Sequence, residues 1–335
     1  MTLEDIARLC EVSRSTVSRV INRDPNVSDR TRKKVLEVIQ LYNFQPNIAA
    51  RGLAAGHTGV IGLVIPMGVS AIFTDPFFPL LIQGVSAACN ENDYSVMLWL
   101  AEPEYERRTI RQILYNGLVD GVIVSSMRVN DPIVEALAES KQPFLTIGRQ
   151  PDGKAISYVD VTNRTGSYTI TRHLLKLGRR RIATITGPSN MVGVMDRLDG
   201  YLTALKDAGI TPDPNLIVEG NFTDISGYQA MQGLLPYQPD AVFAASDIMA
   251  LAAMRAVCET GLRVPQDIAV VGFDDITLAE RSTPPLTTVR QDILHVGAVG
   301  AETLIDMIHH PEGTPRRIVL PTELIVRATC GSLLT

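Results

Sequence analysis

The sequence predicts an α/β protein in which a small all-α headpiece is followed by two doubly wound parallel-sheet lobes. Three observations carry this. Apolar residues recur at helical spacing through residues 1–46, and from Gly59 onward apolar strand-like runs alternate with amphipathic segments. That alternation then starts again after about residue 160. At 335 residues the chain is also long for one domain.

The headpiece reads as three short helices. Thr2 followed three residues later by Asp5 is a capping-box pattern, opening a helix that buries Ile6, Ala7 and Cys10. A turn through Glu11 and Val12 leads to a second helix with Ser13 as N-cap. Val17, Val20 and Ile21 share one face of it, leaving Arg14, Ser15, Ser18, Arg19 and Asn22 on the other. After a turn containing Pro25, Ser28 caps a third helix whose apolar face is Val35, Val38, Ile39 and Tyr42. This is helix-turn-helix geometry, in which the second helix enters the major groove of DNA.

The strings ThrLeuGluAspIleAla, ValSerXaaXaaThrValSerArgValXaaAsn and ValSerXaaXaaThrArgXaaLysVal follow one another across the headpiece. They closely resemble the DNA-binding headpiece of the LacI/GalR family of bacterial transcription repressors. Arg14 and Ser15, at the start of the second helix, are the expected readers of operator bases, with Arg19 a further base or phosphate reader, most naturally bidentate to guanine. Thr2, Ser13, Thr16, Asn22, Thr31 and Asn47 are the candidates for phosphate contacts that position the head.

Between head and body lies FQPNIAARGLAAGHTG, where Asn47 can cap a short helix weakened by Gly52. So short a helix does not persist alone in water. The resemblance implies that it forms only on an operator, in the minor groove, with Leu53 as a wedge and Ala50 and Arg51 against groove or backbone. The expected division is therefore 1–46 for DNA binding, 47–58 for the hinge and 59–335 for effector binding and dimerisation.

In the body, strand-like runs fall at 60–66, 94–100, 121–126, 143–148, 156–161, 181–187, 241–246 and 268–275. Helical segments fall around 78–92, 105–116, 131–140, 163–177, 197–209, 225–235 and 247–260. The body resembles periplasmic sugar-binding proteins, which implies three crossings between lobes. The first lobe is then about 59–158 plus 289–317, and the second about 159–288 plus 318–331.

Ligands of such sheets bind beyond the carboxyl ends of the strands. The candidates there are Asp75 and Phe78 in an Asp-Pro-Phe-Phe motif, Arg197 in an Arg-x-x-Gly motif, Phe222, Ser246 and Asp274. Arg197 and Asp274 supply the bidentate grip that adjacent hydroxyls of a sugar need, and Phe78 and Phe222 an apolar platform. Beside these, Asp275 reads as structural, Asp247 as a helix cap and Asp160 as a fastener for Arg197. Ser246 replaces the family's usual Asn, shortening that polar arm.

The net charge of −5 is unevenly spread: residues 1–58 carry +3, leaving −8 on the rest. A basic head on an acidic body keeps phosphate attraction local. Cys10, Cys89, Cys258 and Cys330 are widely spaced, which suits buried reduced thiols better than disulfides or a metal site. His173, His295, His309 and His310 have no ligand spacing, and Arg179–Arg181 reads as a helix C-cap. No string matches a nucleophile elbow or a phosphate-binding loop, so no catalytic residue, metal or cofactor is expected. With no apolar leader and no run of about 18 apolar residues, the expected location is the cytoplasm, on the nucleoid when DNA-bound. The expected protein is a homodimeric repressor of sugar-utilisation genes that leaves its double-stranded, pseudo-palindromic operator when a carbohydrate binds. A purine- or nucleoside-responsive repressor is the alternative. The chain ends soon after its last strand at GSLLT, leaving no room for a tetramerising heptad helix.

Overall fold

The computed structural model describes residues 1–21, 24–44, 57–100, 102, 105–115, 117–125, 128–151 and 155–332. Two compact units divide at Gly59/Val60.

In the first unit, α1 (Leu3–Leu9), α2 (Arg14–Ile21) and α3 (Asp29–Leu41) surround a core of Ile6, Ala7, Cys10, Val17, Val20, Val27 and Val35. The Thr2–Asp5 capping box is formed, and the Ser13 and Ser28 hydroxyls accept the Thr16 and Thr31 N–H groups at 3.1 and 3.3 Å. Tyr42, expected on the buried face of α3, is instead its C-cap and lies exposed. The helix has ended at Leu41, so the periodic face no longer carries a residue inward there.

The second unit holds a six-stranded parallel sheet in the order β11-β5-β4-β3-β1-β2 and a four-stranded parallel sheet in the order β7-β6-β8-β9. The first comprises β1 (Val60–Ile65), β2 (Ser95–Leu100), β3 (Gly121–Val124), β4 (Phe144–Ile147), β5 (Tyr158–Val161) and β11 (Arg317–Leu320). The second comprises β6 (Ile182–Thr186), β7 (Ile217–Glu219), β8 (Ala241–Ala244) and β9 (Ala269–Val271). A short antiparallel pair, β10 (Thr288–Arg290) with β12 (Glu323–Ile325), packs on the helix Asn163–Lys176 beside the second sheet.

The crossings lie slightly later than the sequence suggested. β5 and β11 pair with each other in the first sheet, so the chain changes lobe after Val161 and after Leu320 rather than near 158 and 317. The second of the three crossings follows β10 and leads into the helix Ile293–His309, which packs on the helix Phe77–Glu91 of the first lobe. In each case the strand completes its ladder before the chain leaves.

Close helix crossings depend on glycine. A methyl group on Gly84 would stand 2.1 Å from the Leu294 carbonyl oxygen, and one on Gly200 would stand 2.2 Å from that of Arg164. The glycine of the Arg197–Gly200 motif thus serves packing between the helices Asn163–Lys176 and Val192–Asp207. That second helix begins five residues earlier than expected, at Val192, so Arg197 lies in its second turn. An unexpected short helix, Val69–Thr74, separates β1 from the Asp75 motif.

Arg180 reaches the Leu175 carbonyl at 2.9 Å and caps its helix, whereas Arg179 holds the carbonyls of Asp240 and Pro265. Three of the four free cysteines are buried; Cys258, in the last turn of Asp247–Glu259, is exposed, because it falls on the outer face of that helix. His173 sits 3.4 Å from the Cys330 sulfur, a partner remote in sequence. Among the described residues no cluster of His, Cys, Asp and Glu could hold a metal ion, and no helix is long and apolar enough to cross a membrane.

Candidate functional site

On the headpiece, α2 buries Val17 and Val20 and leaves Arg14, Ser15 and Arg19 exposed. Arg14 pairs with Glu4 at 3.1 Å and Arg19 with Asp24 at 3.8 Å. Exposed pairs of this kind contribute at most about 1 kcal/mol, so the guanidiniums can exchange them for a stronger partner. The Ser13 hydroxyl lies 2.7 Å from that of Ser15 and 2.8 Å from that of Thr16, grouping three hydroxyls at the α2 N-terminus. A helix N-terminus with hydroxyl donors suits a phosphate oxygen. Thr2 is engaged with Asp5, and Thr31 with Ser28. Asn22, Asn47, Ala50, Arg51 and Leu53 lie outside the described residues.

In the body, an interlobe cavity of about 420 Å³ opens beyond the carboxyl ends of β1, β3, β6, β7, β8 and β9. The first lobe contributes Pro66, Met67, Asp75, Phe77, Phe78, Ser125 and Arg128. The second contributes Pro188, Met191, Arg197, Asn221, Phe222, Thr223, Ser246 and Asp274, and Gln291 stands at the crossing after β10. Asp75, Phe78, Arg197, Phe222, Ser246 and Asp274 are therefore brought to one cavity.

Arg197 is buried at its inner wall. Its Nε donates to Asn163 Oδ1 at 2.8 Å, its Nη1 donates to the Ala245 carbonyl, and Asp274 Oδ1 lies 3.8 Å from Nη1. The guanidinium stacks 3.7 Å above the Phe273 ring. Among the described residues Nη2 makes no hydrogen bond, so two N–H groups of a buried cation are left for something else. Asp160 does not bind Arg197 directly; it accepts from Asn163 Nδ2 at 3.1 Å and so orients the amide that does.

The other polar groups divide between holding and facing. Asp275 is locked by Arg290 and Arg327, each at 2.7 Å. Asp247 accepts from the Ile276 N–H at 2.9 Å and from the Thr288 hydroxyl, away from the cavity. Ser246 faces the cavity while its oxygen accepts the Met249 N–H at 3.4 Å. Asp75 accepts the Phe77 N–H at 3.0 Å, and the Phe77 and Phe78 rings meet edge to face at 5.4 Å.

Two positions carry backbone strain. Phe222 has φ 65° and Asp274 φ 122°, regions that bulky or branched residues rarely occupy. At Phe222 this turn lays the ring over Gly187, where a methyl group would stand 2.3 Å from it. Sequence reasoning missed Asn163, Asn221 and Gln291. Each follows the end of a strand, so the strand-end rule applied to every amide would have found them.

Burial pushes the Asp274 carboxyl up to about 7 against the opposing pull of Arg197, and it raises Asp75, Asp160 and Asp247 above their ordinary value. Burial also pulls the Arg197 guanidinium down, while Asp274 and its neighbouring carboxylates oppose that. The folded chain thus holds protons that the unfolded chain releases near 3.8. The stabilisation from Asp274 is complete below that pH and is lost as pH rises through about 7. Unfolding midpoints measured from about pH 5 to about pH 8 should include a downward contribution from this cluster, and Asp274→Asn should make the profile less downward. An unchanged profile in the variant would contradict the assignment.

Residues 2–47 match the model for bacterial regulatory proteins of the lacI family, and residues 171–330 match a periplasmic binding protein-like domain. The HTH-type transcriptional regulator CelR of Thermobifida fusca is 41% identical over 331 residues, covering 97% of each chain. A solved CelR–cellobiose complex aligns with TM-score 0.79 at 39% identity over 98% of this chain and 99% of that one. The lac repressor dimer bound to operator and the anti-inducer ONPF aligns with TM-score 0.87 at 29% identity, covering 98% of this chain and 99% of that one. The chain therefore belongs to the lacI family of bacterial regulatory proteins, helix-turn-helix transcription regulators with a periplasmic-binding-protein-like body.

Proposed function

We propose that this regulator represses sugar-utilisation genes as a homodimer on a pseudo-palindromic operator and is released when a carbohydrate fills the interlobe cavity. The observation that carries the ligand class is the buried Arg197 with its open Nη2, set between two carboxylates and two aromatic walls. Hydroxyl oxygens accept from Nη2, hydroxyl protons go to Asp75 and Asp274, and the C–H face of a ring rests on Phe78 or Phe222. The cellobiose held by the CelR relative supports the same class.

The head, 1–46, binds DNA; 47–58 is the hinge; 59–335 binds effector and dimerises. Arg14 and Ser15 read base edges, Arg19 a guanine or a phosphate, and Thr2, Ser13, Thr16, Asn22, Thr31 and Asn47 position the head. We assign the protein a regulatory and not a catalytic role: its relatives are transcription regulators, and Asp275 is occupied by two arginines rather than set with Asp274 as an acid–base pair. Its place is the cytoplasm, on the nucleoid when bound.

Release is a population shift. The two lobes are joined by the bidentate pair of Arg149 with Asp196, at 2.6 and 3.2 Å, next in sequence to Arg197. A ligand that grips Arg197 differently in two lobe arrangements shifts their balance by that difference and no more.

Two measurements test this reading. Thermal unfolding with sugars, glycosides and purines should show a raised midpoint for a sugar; a response confined to purines would replace the carbohydrate with a nucleobase ligand. Leu53→Ala should weaken operator binding and reduce the bend seen by circular-permutation electrophoresis. Unchanged affinity and bend would remove Leu53 from the minor groove.

A further inference from the structure

The cavity has an unequal charge balance. Among the described residues four ionisable side chains line it: Asp75, Arg128, Arg197 and Asp274. Arg128 is already matched by the buried Asp131, at 3.0 Å, so two carboxylates face the single guanidinium of Arg197. The surroundings do not correct this. Asp247, behind the wall, is satisfied by Thr288 and the Ile276 N–H and has no cationic partner among the described residues. Asp160, 3.9 Å from Arg149, shares that arginine with Asp196.

We infer that the cavity selects ligands without negative charge: a neutral polyhydroxylated ring enters, and the uronate or phosphate ester of the same sugar is rejected by Asp75 and Asp274. The inference rests on the carbohydrate reading of the cavity and narrows it. A neutral ring offers hydroxyl protons to both carboxylates and lone pairs to Arg197 Nη2. An anionic ring would set its charge beside the carboxylates of Asp75 and Asp274, against one guanidinium, and like charges so placed repel. Burial has already pushed Asp274 up to about 7 and raised Asp75, so the cluster resists the charge it carries before a ligand adds more. Arg128 does not cancel this, because its Nε and Nη2 are held by Asp131 and its charge is matched there.

The test is isothermal titration calorimetry of the full-length protein with matched probes at about pH 8, where Asp274, pushed up to about 7, is ionised. These are glucose, galactose and cellobiose against glucuronate, galacturonate, cellobionate and the 6-phosphates of glucose and galactose. A neutral probe should bind at least about 100-fold more tightly than its anionic counterpart, the ratio expected from an unmatched buried like charge. Asp75→Asn should narrow that gap about tenfold or more by removing one of the two carboxylates. The asparagine carbonyl can still accept the Phe77 N–H, and an unfolding scan checks that the variant is folded. An anion that binds within about tenfold of its neutral partner overturns the charge selection and leaves the carbohydrate reading standing. A gap that Asp75→Asn does not change shows that size or a lost hydroxyl sets the preference, and removes Asp75 from it. Silence from every probe, neutral and anionic, overturns both the carbohydrate reading and this inference.

Discussion

The body of this regulator depends on how one buried cation is held. Removing a guanidinium from water is costly unless its donors are matched, and Arg197 is matched from three directions: Asn163, the Ala245 carbonyl and Asp274, over the Phe273 ring. These partners come from segments far apart in the chain. Asn163 follows the last strand before the first crossing, Ala245 follows β8, and Asp274 follows β9 and is joined through Gln291 to the second crossing. The cation therefore ties the strand ends of the second lobe to the crossings, and Arg197 also lines the cavity. On the proposed function, a ligand that changes the contacts of Arg197 changes what holds the crossings, and this is how occupancy would reach the lobe arrangement.

The headpiece follows the opposite logic. Its cations are exposed and weakly paired, Arg14 with Glu4 and Arg19 with Asp24, and a DNA backbone can displace such partners at little cost. The net charge along the sequence, +3 before residue 59 and −8 after it, keeps phosphate attraction on the head.

What the sequence disclosed follows from how local each feature is. The three helices of the head rest on caps and apolar spacing within a few residues, and their ends were legible except at Tyr42. In the body, alternation of strands and helices gave the architecture, and the strand-end rule brought Asp75, Phe78, Arg197, Phe222, Ser246 and Asp274 to one cavity. The crossing points were misplaced by a few residues because β5 and β11 are fixed by pairing with each other across some 150 residues of chain, which no local pattern encodes. The helix Val69–Thr74 was missed because six mostly apolar residues after a strand show no amphipathic period. The positive φ of Phe222 and the relay from Asp160 through Asn163 to Arg197 exist only once the fold brings them together.

The central claim is that occupancy of the cavity at Arg197 controls DNA binding by the head. It is tested most directly by fluorescence anisotropy on an operator duplex selected from random sequence, with and without the sugar that raises the unfolding midpoint. The account predicts that saturating sugar weakens wild-type binding by about tenfold or more. It also predicts that Arg197→Gln, folded and binding the duplex without sugar, no longer responds at the same sugar concentration. Wild-type affinity that is unchanged by saturating sugar would contradict the account.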